Sequence, residues 1–113
     1  MQFMIRPAAR LSLWTGALML ATAAHAQAPA PNAQLARNLA ATCANCHGTN
    51  GNARGDMKPL AGTPAERTVA LMSYYQTTAQ PEGVTIMHQI AKGYTDEQIR
   101  LIAGFFAAQQ PRK

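Results

Sequence analysis

Two cysteines three positions apart, with a histidine directly behind the second, constrain this chain more than any other feature: Cys43-Ala44-Asn45-Cys46-His47. At this spacing both thiols can bond one flat group while the following imidazole falls beneath its centre. This is the pattern that fastens a haem covalently to a polypeptide. The thiols would add across two vinyl groups, and His47 would take the iron. Cys-x-x-Cys alone also suits zinc, thiol redox chemistry or a disulfide. Zinc needs about four ligands, usually rich in thiolate, and with no third cysteine it would have to borrow Asp56 or His88. A redox dithiol sits where a strand feeds a helix N-terminus, whereas this pair follows a helical pattern. A structural disulfide beside a surface histidine fits an exported protein but leaves the histidine without a role. Covalent haem uses all three side chains and implies redox chemistry.

The N-terminus points to the compartment. Arg6 and Arg10 form a basic start, Leu11 to Ala24 an apolar core, and Ala24-His25-Ala26 a small-residue cleavage site, so residues 1–26 read as a secretory signal. The apolar core falls short of a comfortable membrane span, and no later stretch approaches the roughly 20 apolar residues that a span requires. The expectation is export to the periplasm without stable membrane insertion after cleavage. Haem attachment in bacteria also takes place outside the cytoplasmic membrane, so two independent signals agree.

Cleavage after Ala26 leaves about 87 residues, enough for one small domain. Its eight basic side chains stand against five acidic ones, so the excess positive charge of the full sequence is partly the signal's own. Two haem propionates would reduce it further, and nucleic acid is not an expected partner. A domain this small has a poor surface-to-volume ratio and usually needs a staple. A buried haem would supply one.

Residues 27–31 form an Ala/Pro-rich flexible lead, and 32–113 the domain itself. Asn32 can cap a first helix whose apolar positions Leu35, Leu39 and Thr42 or Cys43 recur at three- and four-residue steps. Gly48, Gly51, Gly55 and Gly62 then impose a long loop. Thr63-Pro64-Ala65-Glu66 has the form of a capping box, opening a helix to about Thr78. In this helix Val69 and Met72 mark one stripe, Leu71 and Tyr75 its neighbour. A short helix from about Thr85 to Lys92 follows, with Gly93 behind it. Thr95-Asp96-Glu97-Gln98 is a second capping box, opening a helix with Ile99, Ile102, Ala103 and Phe106 on one face. About four helices and no strand run make the domain all-α.

A helix, Cys-x-x-Cys-His, a glycine-rich loop and further helices ending in an aromatic-bearing one resemble the class I cytochromes c. Within that class, Thr85-Ile86-Met87-His88-Gln89-Ile90-Ala91-Lys92-Gly93-Tyr94 followed by Ile102-Ala103-Gly104-Phe105-Phe106 looks most like the cytochrome subunits of flavocytochrome c sulfide dehydrogenases. The resemblance implies a class I cytochrome c fold packed around one covalently attached haem c. It also implies that a proline carbonyl, here that of Pro59, accepts a hydrogen bond from His47, and that Met87 is the second axial ligand. His88 departs from the family pattern, in which that position is commonly small.

Beside the resemblance, the sixth ligand has four candidates in Met57, Met72, Met87 and His88. Met72 lies in an amphipathic stripe and reads as packing. Met57 follows His47 closely, in a loop that class I folds keep on the histidine's side. Met87 and His88 are adjacent, about 100° apart on a helix, so both cannot face the iron. Leu60, Met72, Ile86, Ile90 and Phe106 are expected as apolar walls, and Tyr74, Tyr75 or Tyr94 could place a hydroxyl near a propionate. Iron held from both sides has no open position for substrate, so the expected role is one-electron transfer rather than catalysis. The resemblance implies a flavoprotein partner. The alternatives are a freely diffusing cytochrome serving an oxidase or reductase, and a haem sensor with a labile sixth ligand.

Overall fold

The computed structural model describes residues 31–113. The expected signal segment and most of the flexible lead lie outside the described residues. Five α-helices follow in order: α1 (Pro31–Ala41), α2 (Ala44–His47), α3 (Ala65–Thr77), α4 (Met87–Ile90) and α5 (Asp96–Ala107). Short 3-10 turns cover Thr49–Gly51 and Ala91–Gly93. The four expected helices are present, with a one-turn α2 carrying the cysteine motif. No strand occurs among the described residues.

Two helix starts differ from expectation. α1 opens at Pro31, so Asn32 lies inside its first turn rather than capping it. At α3 the N-cap is Pro64, extended at φ −51° and ψ 134°, and no side chain caps the helix. The predicted box at Thr63 therefore fails by one residue. At α5 the box forms in full: Gln98 N–H donates to Thr95 Oγ1 at 3.2 Å, and Thr95 N–H donates to Gln98 Oε1 at 2.9 Å. Each bond satisfies a donor that the helix start would otherwise leave open.

α5 is the central element, packed against α1 on one side and α3 on the other, while α3 also holds α4 and the turn after it. Two buried clusters result. Ala40, Ile102 and Phe106 form the first, with Leu39, Cys43, Leu60, Tyr94 and Phe105 packed around them. Met72, Ala91 and Ile99 form the second, bordered by Val69, Tyr75, Met87 and Tyr94. Tyr94 touches both. On α1 the buried positions are Ala36 and Ala40, whereas Leu35 stays 45% exposed. Small side chains let the two helix backbones approach closely, and that overrides the larger apolar residue.

The loop after α2 folds back on α5. The carbonyl of Gly51 accepts from Leu60 N–H and Ala61 N–H, and Gly62 N–H donates to the Phe106 carbonyl at 2.9 Å. Gly51 has φ +75°, and a Cβ there would lie 2.7 Å from both Ala61 N and Phe106 Cδ1. Only glycine combines that backbone with that proximity.

Candidate cofactor site

The motif begins where α1 ends. Thr42 donates its hydroxyl to the Leu39 carbonyl at 3.0 Å, which leaves its lone pairs to accept from the Tyr94 hydroxyl at 2.8 Å. Cys43 N–H bonds the Ala40 carbonyl, and the Cys43 carbonyl accepts from both Cys46 N–H and His47 N–H, so one tight turn carries all three side chains. Cys43 is half-buried against the first cluster and Cys46 is exposed. Burial pushes the Cys43 thiol up, with the Thr42 hydroxyl pulling weakly the other way. Both thiols are free.

His47 is held through Nδ1, which lies 2.7 Å from the carbonyl oxygen of Lys58. A carbonyl can only accept, so Nδ1 carries a proton, and in the neutral ring the lone pair then lies on Nε2. The expected acceptor, the Pro59 carbonyl, is replaced by that of the preceding residue. The cause is local: a residue before proline is confined to extended backbone, and Pro59 therefore fixes the direction of the Lys58 carbonyl without accepting itself. Pro59 is exposed and lines a cleft with Asn52, Arg54, Ala61, Pro111 and Arg112. Leu60, expected at the cofactor, is half-buried against the α1–α5 cluster.

The remaining predicted residues divide between core and surface. Met72 and Phe106 are buried in the two clusters, while Ile86 and Ile90 are exposed at 52% and 39% on either side of Met87. Met87 is half-buried at the start of α4, against the Met72–Ala91–Ile99 cluster. Met57 is exposed next to Lys58, hence on the strand of loop that His47 grips. Tyr94 has its hydroxyl committed to Thr42. The Nδ1 of His88, which sequence reasoning treated only as a rival ligand, is buried without a hydrogen-bond partner.

The donor chemistry fits a covalently attached haem. Two free thiols and an imidazole with an oriented Nε2 lone pair stand on one turn, and exposed aliphatic side chains flank Met87. Zinc has less to recommend it, since among the described residues no three His, Cys, Asp or Glu side chains gather as a metal-holding group.

These features define a helical haem-binding electron carrier. Residues 33–109 match the family described as "Cytochrome c", and the chain belongs to that family, with the all-α class I fold. It is 35% identical over 68 residues to the cytochrome subunit of sulfide dehydrogenase from Chlorobaculum tepidum, a match covering 60% of each chain. It is 33% identical over 69 residues to cytochrome c-553 from Desulfomicrobium norvegicum, covering 60% of this chain and 86% of that one. The chain thus spans about three fifths of the first of these relatives. Among the described residues no helix is long and apolar enough to cross a membrane.

Proposed function

We propose that this chain is a periplasmic one-electron carrier holding one haem c through Cys43 and Cys46, with His47 and Met87 as axial ligands. We propose further that it serves as the haem subunit taking electrons from a sulfide-oxidising flavoprotein. When bound, the haem supplies reversible one-electron chemistry at its iron. The chain's residues attach it, orient it and keep water away. His47, its Nδ1 proton committed to the Lys58 carbonyl, presents a basic Nε2 in a fixed orientation. Met87 offers a thioether, which favours ferrous iron and raises the potential relative to a second imidazole. Its seat against Met72, Ala91 and Ile99 keeps it in place.

The observation that carries this reading is the His47–Lys58 hydrogen bond beside two free thiols. The flavoprotein partner is supported by the identity to the sulfide dehydrogenase subunit. A freely diffusing cytochrome is the second reading, supported by the match to 86% of the length of cytochrome c-553, a relative with little sequence beyond the matched segment. Isolation from periplasmic extract separates the two: co-elution with a flavin-bearing subunit supports the first, and a lone monomer without flavin absorbance supports the second. The ligand assignment is tested by the near-infrared sulfur-to-iron band of the ferric protein, which is expected in the wild type and absent from Met87→Ala.

A further inference from the structure

His88 stands directly after Met87 in α4 and is half-buried. Its Nδ1 is withdrawn from solvent and meets no donor or acceptor, the one side-chain atom in that condition among the described residues. Folding strips such a nitrogen of water and returns nothing, so it is usually paired. Among the described residues no group pairs it.

We propose that His88 is a reserve axial ligand, taking the sixth position at the haem iron when the thioether of Met87 leaves it. The proposal rests on the reading of Met87 as the resident ligand. Adjacent helical residues point about 100° apart, so exchange requires α4 to turn. The helix is short, although α3 and the Met72–Ala91–Ile99 cluster hold one side of it. It has four residues, no side chain caps it at Ile86, and its opening bonds, from Gln89 N–H and Ile90 N–H, both end on the Ile86 carbonyl.

Other side chains are worse placed. Met72 is buried in the core, and Met57 adjoins the Lys58 carbonyl that holds His47. In the exchange one iron–sulfur bond would break and one iron–nitrogen bond would form, with no electron transferred. The exchange also frees His88 from its unpaired seat. Imidazole in place of thioether favours ferric iron, so the exchanged protein has the lower potential.

The test uses the haem-loaded protein. In Met87→Ala the near-infrared sulfur band is lost, yet the ferric spectrum stays low-spin, added imidazole leaves it unchanged, and the reduced protein takes up no carbon monoxide. In Met87→Ala/His88→Phe the ferric iron turns high-spin and the ferrous iron binds carbon monoxide. His88→Phe alone keeps the sulfur band, showing that the site tolerates the ring. A high-spin, carbon-monoxide-binding Met87→Ala protein overturns the proposal, and so does a double variant that remains low-spin. A wild type without the sulfur band that turns high-spin in His88→Phe refutes the resident role of Met87 instead.

Discussion

The Nδ1 of His47 donates its proton to the carbonyl of Lys58 across 2.7 Å, joining the cysteine motif to a loop eleven residues further on. The ring is thereby fixed in one tautomer and one orientation, and Pro59 holds the acceptor in place. Pro59→Ala should loosen the loop without removing the carbonyl. Losing about 1 kcal/mol of hydrogen bonding corresponds to roughly fivefold faster solvent exchange of the Nδ1 proton. The imidazole also becomes a weaker donor, so the potential should rise. Proton NMR and redox titration of the haem-loaded variant check both.

How much of this was legible in the sequence depends on the range of each interaction. The Thr95–Gln98 capping box is local, and it read correctly from spacing alone. The acceptor for His47 was displaced by one residue, because Pro59 confines Lys58 to extended backbone and so directs the Lys58 carbonyl, a choice between neighbouring carbonyls that the motif's spacing does not show. Leu35 was expected inward, yet the approach of α5 rewards Ala36 and Ala40. Side-chain bonds between distant segments, Thr42 with Tyr94 and Asn52 with the C-terminal stretch, have no sequence signature. For His88, residue type gave its ligating capacity, and only the fold showed its buried nitrogen unpaired.

Tyr94 joins the two core clusters and donates to Thr42 at the end of α1. Tyr94→Phe keeps the ring and loses the bond, for an expected cost of about 1 kcal/mol. Thr42→Val and the double variant complete a cycle. The coupling should be at least ~0.5 kcal/mol, as expected for residues in direct contact. Denaturant unfolding of the haem-loaded proteins measures it, and additive effects would show that the pair contributes nothing of its own.

Asn52 clamps the C-terminal stretch from two sides. Its Nδ2 donates to the Gln110 carbonyl at 3.2 Å, and its Oδ1 accepts from Arg112 N–H at 2.7 Å. Asn52→Ala removes both bonds at an exposed site, so global stability should fall by only about 1–2 kcal/mol. The Arg112 amide should lose hydrogen-exchange protection while the amides of α5 keep theirs. Equal loss throughout α5 would mean that the clamp supports the whole helix.

Gly51 ties the loop to the core with the least room for change. Its carbonyl receives Leu60 N–H at 2.8 Å and Ala61 N–H at 3.1 Å, and the segment so placed brings Lys58 to His47. In Gly51→Ala the new methyl meets the Ala61 backbone and the buried Phe106 ring, at a residue whose φ of +75° already disfavours any side chain. Conformational strain of about 1–2 kcal/mol adds to overpacking of about 1–3 kcal/mol. The ring of Phe106 can yield, but the Ala61 nitrogen moves only with the loop. The variant should therefore be destabilised by several times the cost of Tyr94→Phe, and its His47 Nδ1 proton should exchange faster than in Pro59→Ala. Stability lost with His47 exchange unchanged would confine the role of Gly51 to packing and separate it from the ligand's support.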